Sequence, residues 1–266
     1  REQYDNSVSH ALEYYIADFA LSRFAEALGK KKDAEMFYKR SLGYKHYYSK
    51  EFGTFRPILP DGTFYSPFNP RQGENFEPNP GFHEGSAWNY SFYVPHDVYG
   101  LAKLMGGKNP FIKKLQMVFD EGLYDPANEP DIAYAHLFSY FRGEEWRTQK
   151  ETQRLLDKYF TTKPNGIPGN DDTGTMSAWA IFNMIGFYPD CPGLPEYTLT
   201  TPVFNKVTIR LDPKWYKEKE LVIESNRTQP GTLYINKVLL NGKKFNQYRI
   251  THDELVHSQR ILFDLK

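Results

Sequence analysis

One cysteine, Cys191, is all that this 266-residue chain contains, which excludes an internal disulfide and a cysteine metal cage and says little about compartment. Net charge is missing as well: Lys plus Arg and Asp plus Glu balance at 33 each, so no overall field favours nucleic acid or an anionic membrane. No apolar run approaches ~18 residues, the length needed to span a bilayer, and no segment reads as a signal peptide. An initial methionine is also lacking. Arg1-Glu2-Gln3-Tyr4-Asp5-Asn6 leads almost at once into a helical pattern, as expected of a piece of something longer. Aromatic residues, in contrast, are plentiful: 20 Phe, 20 Tyr and 4 Trp, an excess suited to surfaces that meet flat polar ligands such as sugars.

At this length the chain can bury a full core, as one large or two smaller domains. Its first two-thirds read as about seven helices. Leu12, Tyr15, Ile16 and Phe19, continuing to Phe24 and Leu28, follow the spacing of an amphipathic helix that Gly29 ends. Ala34, Phe37, Tyr38 and Leu42 repeat the pattern behind Asp33, an N-cap candidate, and Lys30-Lys31-Lys32 reads as a solvated connection. Residues 50 to 85, rich in Gly, Pro, Asn and Phe, read as a long functional loop. Helical signals return at Asp97, with Val98, Leu101, Leu104 and Met105, then at Pro110, at Pro130, from about Glu144 to Phe160, and after the turn at 169 to 174, where Trp179, Phe182 and Ile185 share a face. Beyond Cys191-Pro192-Gly193 the period shortens. Val203 to Leu211, Leu221 to Ser225 and Leu233 to Leu240 predict strands, and Asn241-Gly242 predicts a hairpin.

Two segments carry chemistry. Gly169-Asn170-Asp171-Asp172-Thr173-Gly174 sets adjacent carboxylates in a glycine-bounded turn before a helix, and Phe82-His83-Glu84-Gly85-Ser86-Ala87-Trp88-Asn89-Tyr90, followed by Val94-Pro95-His96-Asp97, supplies another carboxyl group in a similar setting. Two such groups can form an acid/base pair. Each also has a plainer reading. Glu84 can be a helix-start carboxylate, Asp172 an N-cap, Asn128 the cap of a helix opened by Pro130, and Asp97 an N-cap beside a buried His96.

Three segments together resemble the calcium-dependent exo-α-mannosidases of glycoside hydrolase family 92: Glu84 to Tyr90 with Val94 to Asp97; Asn128-Glu129-Pro130; and Gly169 to Trp179 running into Gly186-Phe187-Tyr188-Pro189 and Cys191-Pro192-Gly193. The order of these segments and the Ser7 to Leu28 opening agree over nearly the whole chain. The resemblance implies a mainly α chain with a C-terminal β module. Residues 1 to 192 would form part of an (α/α)6 toroid of antiparallel helix pairs, and 193 to 266 a small antiparallel β unit. The N-terminal β-sandwich and the early helices of the parent protein would lie outside this chain. It further implies a secreted, periplasmic or cell-surface enzyme acting on mannose-containing glycans, with no nucleic-acid partner and no membrane span.

By the same resemblance Glu84 matches the general acid and Asp172 the general base of an inverting hydrolase. Their carboxyl groups would open into one cleft, roughly 6.5 to 9.5 Å apart. Trp88 and Tyr90 would raise the pKa of Glu84 by desolvation. Trp88, Asn170, Asp171 and His96 are candidate substrate-binding residues, and Asn128 and Glu129 are candidate ligands for calcium, which suits hard oxygen donors. There are departures: Asp131-Ile132-Ala133 stands where many members carry a His pair, Asn89 stands where Gln is commoner, and the segment from Asp120 to Asn128 is shorter than usual. These departures keep two other readings open, a non-catalytic glycan-binding or scaffold piece and another toroidal inverting glycosidase such as a glucosidase. Asn89-Tyr90-Ser91 and Asn226-Arg227-Thr228 match the N-glycosylation triplet, and Phe55, Phe64, Tyr65 and Phe68 are candidates either for a sugar subsite or for core packing.

Overall fold

The structure, a computed structural model, describes residues 6–73, 78–229 and 231–266; the expected chain opening at 1–5 and part of the expected long loop, 74–77, lie outside the described residues. The chain divides into two compact units, Arg1–Tyr134 with Cys191–Leu194, and Ala135–Asp190 with Pro195–Lys266. The division expected at 192/193 follows the change from helix to strand, whereas these units follow packing.

In the first unit, α1 (Ser7–Ala27) and α2 (Lys31–Ser41) form a helix pair joined across Gly29, whose φ of +71° suits glycine. Asp18 and Arg40, equidistant along the chain from Gly29, bridge the pair, with Arg40 Nε donating to Asp18 Oδ2 at 2.6 Å. Leu12, Ile16 and Phe19 are buried as their spacing predicts, with Val8 also buried, whereas Phe24 and Leu28, expected on the same face, are exposed, as are Tyr14 and Leu21. Asp33 lies inside the first turn of α2 and is not its cap. There a carboxylate meets the free N–H groups of the helix start without terminating the helix.

The segment expected as a loop contains a short hairpin, β1 (Tyr48–Ser49) with β2 (Thr54–Phe55), and two isolated bridges, Ile58 with Phe64 and Asn79 with Phe82. Its aromatics pack inward. Phe55 is fully buried, and the Arg56 guanidinium lies over the rings of Phe52, Phe64 and Phe68 at 4.9, 5.5 and 5.5 Å. Three helices follow: α3 (Ala87–Tyr90), α4 (Val98–Leu104) and α5 (Lys108–Asp120). Asp97 caps α4, its Oδ1 accepting from Gly100 N at 3.0 Å. Pro110 falls at the third position of α5, which begins two residues earlier than expected. Pro130 opens only a 3-10 turn, Glu129–Asp131.

In the second unit, a 3-10 segment (Tyr134–Tyr140) leads to α6 (Glu145–Tyr159) and α7 (Thr175–Ile185). The strands begin earlier than Val203. β3 (Phe187–Tyr188), β4 (Glu196–Leu199) and β9 (Arg249–Thr251) form an antiparallel sheet. The larger sheet has the order β5 (Lys206–Arg210), β6 (Glu220–Arg227), β10 (Arg260–Leu265), β7 (Ile235–Leu240) and β8 (Lys243–Phe245). It is antiparallel except where β10 runs parallel to β6, a correction to the all-antiparallel expectation. The last strand enters between β6 and β7, and with a two-residue-period burial pattern on both β6 and β10 it seals Leu221, Ile223, Ile261 and Phe263 in the core. A short helix, α8 (His252–Val256), precedes it. Asn241-Gly242 makes the expected turn between β7 and β8, with φ of +49° and +80°. No helix among the described residues is long and apolar enough to cross a membrane.

Candidate active site

Glu84 sits at φ +54°, a conformation that costs a residue with a Cβ of order 1–2 kcal/mol. Its turn is held open by neighbours distant in sequence. Before it, His83 N donates to Ser9 Oγ at 2.8 Å, and the His83 carbonyl accepts from Tyr90 OH at 2.7 Å. The Glu84 carbonyl accepts from Asn128 Nδ2. The Gly85 carbonyl accepts from Asn79 Nδ2 at 3.2 Å, and a Cβ at Gly73 would strike that carbonyl. Ser86 N donates to Asn89 Oδ1 at 2.9 Å within a capping box that opens α3. Backbone groups of four successive residues are thus tied down by side chains of α1, α3 and two loops.

The Glu84 carboxyl group, by contrast, is paired only with its chain neighbour. It is 55% exposed, with His83 Nε2 beside it at 3.2 Å. The desolvation expected from Trp88 and Tyr90 is not its environment. Tyr90 is buried with its hydroxyl bonded to the His83 carbonyl and the Ser9 side chain, and Trp88 is half-buried.

The second turn is built locally. Asp172, Thr173 and Gly174 have φ of +44°, +60° and +88°, and α7 starts immediately after them. Capping falls to Asp171, whose Oδ1 accepts from Ser177 N and Oδ2 from Ser177 Oγ, both at 2.8 Å. These bonds from Ser177 hold the Asp171 carboxyl below the usual range. Asp172 contributes its carbonyl, which accepts from Thr175 Oγ1 at 2.6 Å, while its carboxyl group is exposed and makes no hydrogen bond among the described residues. Asn170 is likewise exposed. Of the four non-glycine residues at positive φ among those described, three are Glu84, Asp172 and Thr173; the fourth, Asn241, belongs to the β7–β8 turn. Such strain concentrates at functional sites.

Around the Glu84 turn the first unit gathers acids. Burial raises the pKa of Glu13 despite an exposed side chain, a hydrogen bond from Tyr93 opposes it, and Glu129 adds to it. Tyr90 is pushed up to about 12, first by burial and then by the charges of Glu13, Glu84 and Asp131. Calcium takes about six to eight oxygen ligands. Among the described residues no three His, Cys, Asp or Glu side chains converge to hold a metal, and the Asn128 amide nitrogen is committed to the Glu84 carbonyl. Asn128 Oδ1 and the Glu129 carboxylate therefore offer only part of a coordination shell.

His96 is enclosed between Phe19 and Tyr44, ring centroids 5.6 and 5.9 Å away, and its Nε2 lies 3.0 Å from the Ser41 carbonyl. Burial lowers its pKa. This is the packing of a core histidine, and Asp97 beside it caps a helix and accepts from Tyr44 OH at 2.7 Å. Asn89 is buried with its amide fully engaged, so the first glycosylation triplet is closed to modification, while Asn226 is exposed.

Ser9, Glu13, Asn79 and Tyr93 were not legible as site residues. Ser9 and Glu13 left one trace, a polar i, i+4 pair beside the apolar stripe of α1. Asn79 and Tyr93 left none.

A model of the glycosyl hydrolase family 92 catalytic domain matches residues 1–266. A family GH92 alpha-mannosidase from Bacteroides thetaiotaomicron has a similar structure, with a TM-score of 0.88 and 31% identity over 97% of this chain and 34% of that one. A family GH92 inverting mannosidase from the same organism gives 0.86 and 31% identity over 97% of this chain and 37% of that one. An uncharacterized secreted glycosidase of Arthroderma benhamiae is 26% identical, over 93% of this chain and 34% of its own length. The chain therefore spans about a third of the length of these relatives.

Proposed function

From the premise that this chain belongs to glycosyl hydrolase family 92, we propose that it is part of an inverting, calcium-dependent exo-α-mannosidase that hydrolyses terminal α-mannosides of glycans. The observation that carries the reading is the shared state of Glu84 and Asp172. Both occupy left-handed backbone on fixed turns, and both leave their carboxyl groups exposed, that of Glu84 paired only with its neighbour His83. Glu84 is the general acid. It gives its proton to the glycosidic oxygen as the bond to the anomeric carbon breaks. Asp172 is the general base, taking a proton from the water that attacks that carbon from the opposite face. His83 orients the Glu84 carboxyl, and Trp88, Asn170 and Asp171 meet the sugar.

On this reading Asn128 Oδ1 and Glu129 would be among the ligands of calcium, which would supply a Lewis acid for sugar hydroxyls, with the remaining oxygens coming from outside the described cluster. The helix pairs α1–α2 and α4–α5 belong to an (α/α)6 toroid, and the exposed Tyr14, Leu21, Phe24 and Leu28 of α1 meet other parts of the parent protein, including its β-sandwich. The protein acts outside the cell or at its surface, as the secreted relative suggests.

The test uses the full-length enzyme. Glu84→Gln keeps hydrogen bonding but has no proton to give, so turnover of a methyl α-mannoside should fall by about 10²-fold or more with binding largely kept. Asp172→Asn should fall as far. EDTA should suppress hydrolysis until calcium is restored; full activity in EDTA would remove the metal from the proposal. Wild-type turnover by either carboxyl variant would remove that residue's role, and absence of any α-mannoside hydrolysis by the wild type would favour a glycan-binding or scaffold piece.

A further inference from the structure

We propose that Asp131 is a positioning residue for the general acid: its buried carboxyl group orients Asn89, and Asn89 fixes the turn that presents Glu84. The inference rests on the reading of Glu84 given above. Asp131 is fully buried, an expensive place for a carboxyl group that serves only packing. Its Oδ2 accepts from Asn89 Nδ2 at 2.8 Å and from Asp125 N at 2.7 Å.

Asn89 Nδ2 also donates to the Leu123 carbonyl at 3.2 Å, so both amide protons are directed toward the 123–131 segment. That choice fixes which way the amide faces. Its Oδ1 is thereby turned toward Ser86, where it accepts from the backbone N at 2.9 Å and from Oγ at 3.0 Å. Ser86 is two residues from Glu84, and a Cβ at the intervening Gly85 would lie 3.0 Å from Asn89 Oδ1, so the amide is seated directly against the turn. The same 123–131 segment reaches the turn a second time, through Asn128 Nδ2 on the Glu84 carbonyl. Without the Asp131 acceptor, Asn89 Nδ2 keeps only its longer bond to the Leu123 carbonyl, and the amide that anchors Ser86 is held less firmly. The left-handed Glu84 can then relax toward ordinary backbone, which swings its carboxyl group away from the leaving oxygen.

A residue that acts only on the acid has a distinctive signature. A 2,4-dinitrophenyl leaving group departs without a proton, whereas methoxide needs one. In the full-length enzyme, Asp131→Ala should lower kcat on methyl α-mannoside by about 10²-fold, as expected for a misplacement near 1 Å, and leave kcat on the dinitrophenyl mannoside within about threefold. KM should hold for both. Asp131→Asn keeps an oxygen for Asn89 and Asp125, is isosteric and should restore most of the loss. Asn89→Asp keeps the acceptor for Ser86 and removes the donor to Asp131, so it should reproduce the leaving-group split even where Asp131→Ala does not fold.

Equal losses on both substrates would overturn the proposal by showing a general structural role. So would Asp131→Asn falling as far as Asp131→Ala, or Asn89→Asp showing wild-type rates on methyl α-mannoside. Glu84→Gln is the internal reference. If it fails to show the split, the assignment of the acid has failed; if it shows the split and the Asp131 and Asn89 variants do not, only the positioning inference has.

Discussion

Glu84 and Asp172 share a backbone conformation but are held in it by opposite means. The Glu84 turn is tied by Ser9, Asn79, Tyr90, Asn89 and Asn128, residues spread over more than a hundred positions of sequence. The Asp172 turn is tied by its own neighbours, through Asp171 to Ser177 and Thr175 to the Asp172 carbonyl, with Gly174 easing the entry into α7. One carboxyl is placed by tertiary structure and the other by local sequence. On the proposed roles, an acid must meet a leaving oxygen at one point, so a turn that many elements fix suits it. A base that works through a mobile water tolerates a lighter frame.

The comparison is broken most directly at the acid. Glu84→Gly removes the proposed proton donor and also relieves the left-handed strain. Activity of the full-length enzyme should fall by about 10²-fold or more, while resistance to unfolding should rise by about 1 kcal/mol, the cost of a Cβ in that conformation. A loss of both activity and stability would mean that the Glu84 side chain has a structural task the geometry does not show. Urea unfolding beside kcat on methyl α-mannoside decides it.

The next effect tests the tertiary ties themselves. Tyr90→Phe deletes the bond to the His83 carbonyl and the one from the Ser9 side chain, and keeps the buried ring. It should cost about 1–3 kcal/mol, the usual net value of two such bonds, with a modest loss of kcat. At the other turn the matching change runs the opposite way. Thr173→Gly relieves a β-branched residue at φ +60° and should gain up to about 1 kcal/mol, with kcat changing little if Asp172 is held by Thr175 and Asp171 alone.

The same contrast explains what the sequence could reveal. The Asp172 turn was legible because everything that makes it lies within Asn170 to Ser177, a glycine-bounded acidic segment opening an apolar helix. Even there the acids had to be sorted by the structure: Asp171 caps, which leaves Asp172 available. The helix face from Leu12 to Phe19 and the Asn241-Gly242 hairpin were legible for the same local reason. The Glu84 segment was marked as a carboxyl-bearing cluster and its acid role came from the resemblance, but what holds its turn was hidden, because Ser9 and Asn79 carry no mark of the turn they serve. The parallel insertion of β10 between β6 and β7 was hidden likewise, since pairing partners 38 residues apart leave no periodicity of their own: Arg260 faces Val222. His96 had two readings in the sequence, a substrate residue or a buried ring beside a capping Asp97, and only the structure shows it packed between Phe19 and Tyr44.

The smallest effect is a pH test of the local turn. The folded-state pKa of Asp171 is lowered by hydrogen bonds from Ser177, so the stability that its carboxylate contributes is present above its unfolded value, about 4. That contribution is lost as pH falls through the lower, folded value. Asp171→Ala should therefore melt slightly below the wild type at pH 7, and the difference should shrink once the pH drops below about 4. Because Ser177 is inside the first turn of α7, the loss should show as faster amide exchange at Thr175 to Ser177, with the Glu84 turn unaffected. A melting difference that stays constant down to pH 2, or exchange that spreads into the Glu84 turn, would show that the Asp172 turn is not self-contained, and the contrast between the two carboxylates would have to be abandoned.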